Sequence, residues 1–175
     1  MREIIRFGWE YSPLGDFVVA ASDEGVVAVE FASMHSAMED ALRIRFPDAD
    51  LQRDQEDLAE VLAAVANAID NPAAPVELPL DLRGTPYEVK VWGMLREIPV
   101  GQTTTYGALA RKLGTRDARD VTAAIANNPI AVLVPCHRVI KSDGTISGYR
   151  WATRRKRALL VREQQSTELF HVQSA

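Results

Sequence analysis

The sequence predicts a mixed α/β (α+β) protein made of two lobes. Two observations favour this fold class. Residues 11–31 alternate turn signals with runs rich in Val, Phe and Ala, as an antiparallel hairpin does, whereas residues 86–127 carry apolar positions at helical spacing. The chain changes character near residue 80, so we expect an N-terminal α/β lobe over residues 1–80 and a mainly helical C-terminal lobe over residues 81–175. The total of 175 residues suits one ordinary domain or two small lobes.

The N-terminal lobe is predicted to contain a hairpin, two helices and a crossing segment. Residues 16–22 and 26–31 are the expected strands, because Gly25 follows two acidic residues as a turn signal. Pro47 ends the first helix, since the residue before a proline avoids the helical conformation. The two helices and the extended crossing segment are predicted at residues 36–46, 54–70 and 76–80. No residue of this lobe is assigned a chemical role.

The C-terminal lobe is predicted to consist mainly of helices. Proline at position 86 suits the first turn of a helix over residues 86–97. Thr105 is placed to cap a helix over residues 106–113, and a glycine ends that helix before another over residues 116–127. Two short helices joined by a glycine-containing turn match a helix-turn-helix, whose second helix recognises DNA. Such helix pairs are common, so this pattern alone leaves DNA binding open.

The net charge of −4 hides an uneven distribution of charge along the chain. Residues 101–163 hold 12 Lys and Arg against 4 Asp and Glu, which suggests a polyanionic partner. A solvated helix face has the same charge pattern, so charge alone decides nothing. No stretch approaches the roughly 20 apolar residues of a membrane span, so no membrane partner is expected. The chain has one thiol and no apolar signal core in its first residues, so we expect a cytoplasmic protein.

Cys136 is the one cysteine of the chain, and it stands in the run PCHRV at residues 135–139. A lone cysteine forms neither an internal disulfide nor a thiolate zinc site, which leaves a buried small hydrophobe or a nucleophile. Residues 131–134 predict a buried strand that Pro135 ends, so the cysteine is expected at the end of a rigid element, with His137 next to it. A nearby base or positive charge lowers the pKa of a thiol and makes it a useful nucleophile.

Several short segments resemble the O6-alkylguanine-DNA alkyltransferase (methylated-DNA–protein-cysteine methyltransferase) family. They are IPVG at 98–101, TY at 105–106, RDV at 119–121, NP at 128–129, PCHRVI at 135–140 and GYRW at 148–151. With DLRGT at residues 81–85, they are most similar to the C-terminal half of bacterial adaptive-response regulators. The likeness is weak over the first 75 residues and strong over about 79–163.

The resemblance implies a direct displacement that consumes the protein. A thiolate attacks the alkyl carbon on O6 of guanine in DNA and becomes a stable thioether, and no cofactor or metal is required. Cys136 would be the nucleophile, and sulfur suits this task because its ionised form is soft and strongly nucleophilic. His137 would take the thiol proton through a bridging water, because adjacent residues on an extended segment point opposite ways. Glu163, on the last helix, would orient the histidine and stabilise its charged form.

The resemblance also implies a set of residues that handle the DNA. Tyr106 matches the donor to the leaving guanine, and Arg119 matches the arginine that fills the space left by the flipped base. Asn128 matches the residue that ties the recognition helix to the active-site strand, while Tyr149 matches a pocket residue beside that base. Thr105 is also expected to bind the DNA. Arg138 is expected to make structural hydrogen bonds.

The implied partner is double-stranded DNA that carries O6-alkylguanine. The expected module is winged-helix-like, with its recognition helix in the minor groove. We expect a monomer. The sequence leaves open whether O4-alkylthymine and larger alkyl groups are accepted.

The chain departs from the family pattern in three places. It has one residue fewer between Tyr106 and Arg119, Asp120 stands where a small apolar residue is common, and Ala152 replaces a glycine. None of these departures removes a reacting group. They put DNA affinity and substrate range in question, and not the chemistry.

Three alternative functions are less consistent with the sequence. A non-reactive protein that binds alkylated DNA would lack the cysteine, so Cys136 opposes it. A hydrolase with a Cys-His pair needs an oxyanion hole, and no glycine precedes the cysteine. A zinc site is the weakest hypothesis, because the three histidines and the one cysteine do not have the spacing of zinc ligands. The histidines are His35, His137 and His171.

Overall fold

A computed structural model of the chain describes residues 1–146 and 148–173 and confirms the mixed α/β fold class. The described chain divides into two compact units. The first unit comprises Met1–Asp70, Ala74–Arg83 and Pro129–Leu133, and the second unit comprises the rest of the described residues. The predicted division into two functional domains at residue 80 stays a prediction.

The first unit is built on a four-stranded sheet. Its strands are β1 (Ile4–Glu10), β2 (Phe17–Ser22), β3 (Gly25–Phe31) and β4 (Asp50–Arg53), in the spatial order β3-β2-β1-β4. The predicted hairpin is confirmed as the antiparallel pair β2 and β3. The sequence did not indicate β1, which pairs antiparallel with β2, or β4, which pairs parallel with β1.

Two helices complete the regular structure of the first unit. They are α1 (His35–Arg45) and α2 (Ala59–Asp70). The second begins later than expected, because the chain turns at Asp54, whose carboxylate accepts the N–H of Asp57 at 3.1 Å. Apolar side chains of the sheet and of α1 form a buried core at Ile5, Phe7, Val18, Ala20, Val27, Ala28, Met38 and Leu42. This burial of apolar area stabilises the first unit.

The predicted crossing segment reaches the edge of β3. The N–H of Val26 donates to the carbonyl of Pro79 at 2.9 Å, and Leu80 forms a parallel bridge with Val26. Gly25 is required here, because a Cβ at this position would lie 2.4 Å from the Pro79 carbonyl oxygen and its φ of +147° disfavours side chains.

The predicted buried strand at residues 131–134 is wrong. A single bridge joins Ile130 to Val29, and the chain then turns, with the N–H of Leu133 donating to the carbonyl of Ala131 at 2.7 Å. Val132 has a φ of +68°, which no extended strand allows. A short apolar run indicates burial, and periodicity alone does not separate a strand from a buried turn.

The second unit is mainly helical, as predicted. Its helices are α3 (Pro86–Arg96), α4 (Tyr106–Lys112), α5 (Arg119–Ala126) and α6 (Thr153–Gln173), beside two short parallel strands, β5 (Thr104–Thr105) and β6 (Val139–Ile140). Thr85 and Glu88 form a capping box that starts α3. The indole N–H of Trp92 on α3 donates to the carbonyl of Ala124 on α5 at 2.8 Å, so these two helices pack together.

The helix pair α4 and α5 is closed by a short hydrogen-bonded turn. Thr105 caps α4 as predicted, because its hydroxyl accepts the N–H of Ala108 at 3.1 Å. Gly114, with a φ of +77°, follows the helix end. The next helix begins at Arg119, later than predicted, since Thr115 and Asp117 hydrogen-bond each other within the turn. The winged helix-turn-helix assignment stays a prediction.

No helix within residues 1–146 and 148–173 combines the length and the apolar content needed to cross a membrane.

Candidate active site

Cys136 lies in a 3₁₀ turn, Cys136–Arg138, directly before β6. The expectation that it ends a strand is therefore wrong. The backbone folds back on itself, with the N–H of Cys136 donating to the carbonyl of Val134 at 2.8 Å and that of Arg138 to Pro135 at 3.0 Å. Because this segment is not extended, the alternation of side chains expected for residues 136 and 137 does not apply.

The thiol of Cys136 is enclosed, with 5% of the residue exposed. Burial raises the pKa of the thiol to about 11, because a thiolate loses its hydration there. A hydrogen bond from the Asn128 side chain and the positive charge of Lys156 act in the opposite direction. The resting cysteine is therefore a protonated thiol at neutral pH, in surroundings that already contain groups able to stabilise a thiolate.

His137 and Glu163 form a buried pair. The Nε2 of His137 lies 2.7 Å from Oε1 of Glu163, and both residues are almost fully buried. Burial lowers the pKa of His137, although Glu163 opposes the shift, so the imidazole is neutral at neutral pH. Because a carboxylate only accepts hydrogen bonds, Nε2 carries the hydrogen and Nδ1 is a base. This Nδ1 is buried and has no hydrogen-bond partner among the residues that the structure describes.

Glu163 remains a carboxylate despite its burial. Burial alone would raise its pKa, but hydrogen bonds from His137 and Arg138 outweigh that effect and hold the pKa at about 2. The Nε and Nη2 atoms of Arg138 donate to Glu163 at 2.8 to 3.1 Å, and its Nη1 donates to the carbonyl of Ile98 at 2.6 Å. The hydrogen bonds predicted for Arg138 are present.

Lys156 is a site residue that the sequence reasoning missed. It is 1% exposed and lies on α6, seven residues before Glu163, so the two share one face of the helix. Its Nζ lies 5.9 Å from the ring centre of Tyr106. Burial lowers the pKa of Lys156, while the thiolate charge of Cys136 would raise it. A lysine two helical turns from the predicted orienting carboxylate was the signal that could have identified it.

Two tyrosines belong to the same part of the second unit. Tyr106 is the first residue of α4, and its ring faces the ammonium of Lys156. The hydroxyl of Tyr149 is buried and has no hydrogen-bond partner among the described residues. Burial and the nearby Cys136 raise its pKa well above the ordinary value, so the phenol stays a neutral donor. Its ring packs edge-on against Trp151, with ring centres 5.3 Å apart.

Asn128 supports the segment that carries the cysteine. It is buried just after α5, and its Nδ2 donates to the carbonyl of Val134 at 2.9 Å. This contact ties the end of α5 to the chain that leads into the 3₁₀ turn, as the resemblance implies, although that chain is not a strand. The described Thr105 contact is its helix cap.

Arg119 stands apart from this group. Its side chain is 90% exposed at the start of α5, and its guanidinium pairs with the carboxylate of Asp117. The structure therefore brings together Cys136, the predicted base His137, the predicted orienting residue Glu163, Asn128 and Tyr149. It leaves Arg119, the predicted intercalating arginine, on the surface.

No group of three or more His, Cys, Asp and Glu within the described residues could hold a metal ion. The side chain of His171 lies outside the described residues.

Comparison with known proteins identifies related chains. Residues 86–165 match the family model for the DNA-binding domain of 6-O-methylguanine DNA methyltransferase. The chain is 37% identical over 165 residues to the bifunctional transcriptional activator/DNA repair enzyme Ada of Escherichia coli, covering 94% of this chain and 47% of that protein. It thus spans about half the length of the Ada proteins it matches.

Shorter relatives match over most of their length. The chain is 33% identical to the inducible methylated-DNA–protein-cysteine methyltransferase of Bacillus subtilis, covering 90% of this chain and 89% of that protein. The fold is similar to Mycobacterium tuberculosis OGT, whose crystal structure is a complex with DNA. That structure has a TM-score of 0.77 and 30% identity, with 93% of this chain and 94% of the other covered.

Proposed function

Because the chain belongs to the methylated-DNA–protein-cysteine methyltransferase family, we propose that it repairs DNA by transferring an alkyl group from O6 of guanine to its own Cys136. The observation that carries this proposal is the buried thiol beside a neutral histidine whose other nitrogen is fixed by a buried carboxylate. A thiol with a pKa of about 11 needs a base at the moment of reaction, and the Nδ1 of His137 is an acceptor for its proton.

The proposed reaction is balanced within these residues. The thiol proton passes to Nδ1 of His137, through a bridging water as the family resemblance implies, and the Sγ–C bond forms as the C–O6 bond breaks. The guanine anion takes a proton from the phenol of Tyr106, and the proton held by His137 restores that phenol through water. The sum converts one thiol and one alkylguanine into one thioether and one guanine, so each molecule reacts once.

Two charged groups support the charge separation in this step. Glu163, already paired with Nε2 of His137, stabilises the imidazolium as it forms. Lys156 supplies positive charge near the sulfur as the thiolate forms. Neither group reacts, and each lowers the free energy of a charged species that the buried site would otherwise disfavour.

We propose double-stranded DNA with O6-alkylguanine as the partner of the second unit. The basic segment 101–163 supplies charge for the phosphates, and α5 is the recognition helix. Arg119 enters the duplex when the damaged base is flipped, and Tyr149 lies beside that base. The protein acts as a monomer, and a single reduced thiol suits the cytoplasm.

The test is peptide-mass analysis after incubation with a duplex that carries one O6-methylguanine. We expect one methyl group on the peptide that contains Cys136, and no methyl group on the Cys136→Ala variant or after incubation with the unmodified duplex. Binding of the duplex without methylation would instead indicate a protein that only binds alkylated DNA. Methylation at another residue would show that Cys136 is not the nucleophile.

A further inference from the structure

Arg119 is held by a carboxylate two residues before it. Its Nε lies 2.8 Å from Oδ2 of Asp117 and 3.0 Å from Oδ1, and its Nη2 lies 2.5 Å from Oδ2. The Oδ1 atom also accepts the backbone N–H of Arg119 at 2.9 Å. One carboxylate therefore binds both the main chain and the side chain of the residue that opens α5.

The Asp117 carboxylate cannot follow Arg119 into a duplex. Its own residue is fixed in the turn before α5, where the hydroxyl of Thr115 accepts the N–H of Asp117 at 3.2 Å. When the guanidinium moves between base pairs, the two-point contact must break, because the carboxylate would otherwise meet DNA phosphates of like charge.

The charges around Arg119 are unusual for the segment in which it lies. Residues 101–163 hold only 4 acidic residues against 12 basic ones. Glu163 is buried in the active site, and Asp143 accepts hydrogen bonds from Thr145. The other two, Asp117 and Asp120, flank Arg119 at the start of α5. Negative charge is thus concentrated at the one place where the proposed function requires a cation to enter DNA.

We propose that the ion pair with Asp117 competes with the insertion of Arg119 into DNA. Asp117 thereby lowers both the affinity for a duplex and the rate of methyl transfer. This inference rests on the proposed function, which gives Arg119 its role in the duplex. The contact is exposed, with side-chain exposures of 90% for Arg119 and 45% for Asp117, and exposed ion pairs are weak. Releasing the arginine should therefore change binding by roughly 2- to 5-fold. Asp117 thus lowers the affinity for DNA moderately, and its removal should raise that affinity.

The test replaces Asp117 by asparagine. Asp117→Asn keeps an oxygen that can accept the N–H of Arg119, so the turn is preserved while the charge is lost. The matched control is Asp120→Asn, which removes the same charge from the same helix end but has no hydrogen bond to Arg119 among the contacts of the described residues. Both substitutions are also made in an Arg119→Gln background. Affinity for unmodified duplex and the second-order rate of methyl transfer are measured at low and at high salt.

At low salt we expect Asp117→Asn to bind unmodified duplex DNA roughly 2- to 5-fold more tightly than wild type and to transfer methyl roughly 2- to 5-fold faster. Both gains should be larger than those of Asp120→Asn. The gain should shrink at high salt, where ion pairs are screened, and it should vanish in the Arg119→Gln background. The unfolding midpoint of each variant is measured, and affinities and rates are expressed per folded molecule.

Three results would overturn the inference. They are equal binding by wild type and Asp117→Asn, a gain that persists without Arg119, and weaker binding by Asp117→Asn. The last would mean that the carboxylate positions the arginine for DNA. Failure of wild type to transfer methyl would count against the proposed function alone, because the affinities for unmodified duplex would still decide the role of Asp117.

Discussion

The two units differ in what they bury. In the first unit, the buried polar residues among those described are Ser12 and Glu30, and the interior is otherwise apolar. The described part of the second unit buries Asn128, His137, Arg155, Lys156 and Glu163. Burying charge costs free energy that pairing only partly offsets, and the second unit bears this cost at the residues to which we assign the proposed reaction. Apolar packing accounts for the interior of the first unit, whereas the buried charges of the second unit are consistent with the proposed active site.

Ion pairs illustrate the same difference. Arg83 of the first unit binds Glu3 and Asp81, and the side chains of Arg83 and Glu3 are 35% and 46% exposed. Arg138 of the second unit binds Glu163, whose side chain is 4% exposed. The residue types are the same, but the surrounding dielectric differs, and this determines how much each pair matters for folding.

The largest expected effect follows from removing the buried charge. Glu163→Gln leaves Arg138 without its neutralising carboxylate and weakens the contact to His137, so we expect it to lower the free energy of unfolding by about 3 to 5 kcal/mol. The measurement is urea unfolding followed by circular dichroism. The matched control is Glu3→Gln in the first unit, which should leave the urea midpoint close to that of wild type. Equal losses in the two variants would contradict the comparison.

An alkaline titration tests the burial of Cys136. The pKa of its thiol rises from about 9 when unfolded to about 11 when folded, so between these values the unfolded chain has lost a proton that the folded protein keeps. Stability must therefore fall as pH rises from 9 to 11, by up to about 3 kcal/mol. The reference is Cys136→Ser, measured over the same range so that other titrating groups cancel. A constant difference between the two proteins would show that the thiol is not desolvated.

Lys156 separates stability from activity. In Lys156→Met an apolar side chain of similar length removes the cost of burying an ammonium, a cost that also lowers the pKa of Lys156, so we expect the free energy of unfolding to change little. Methyl transfer should slow by about tenfold for each unit by which the thiol pKa rises, and the inflection of its pH profile should move to higher pH. Lys90→Met, at an exposed position of α3, is the control and should change neither quantity. A variant that loses stability and activity together would point to a purely structural lysine.

Local patterns predicted a large part of the fold. The hairpin of β2 and β3 and the cap at Thr105 depend on neighbouring residues, so local turn and capping patterns predicted them. The candidate site residues were predicted from the family resemblance, because the local prediction of a strand before Cys136 was wrong. The strand β4 escaped prediction because it has four residues, of which only Leu51 is partly buried and apolar. Its partner β1 lies more than 40 residues away, and pairing at that distance leaves no local signal.

Two contacts of charged residues were not predicted from the sequence, that of Lys156 with Cys136 and that of Asp117 with Arg119. Lys156 and Cys136 are 20 residues apart and meet only because α6 returns to the 3₁₀ turn. The pairing of Asp117 with Arg119 depends on the conformation of the turn at residues 115–117. In both cases the residue types were visible in the sequence, but their partners were set by the path of the backbone.

The smallest expected effect concerns the backbone at Ala152. This residue, where the family pattern has glycine, has a φ of +81°, a conformation that costs an L-residue roughly 1 to 2 kcal/mol. Ala152→Gly removes that strain but adds freedom to the unfolded chain, so we expect a net gain of about 0.5 to 1 kcal/mol. The control is Ala63→Gly, at an exposed position inside α2, where the same change should cost about 1 kcal/mol. Opposite signs in urea unfolding would confirm that Ala152 is strained. A loss in both variants would mean that the backbone at Ala152 is not strained.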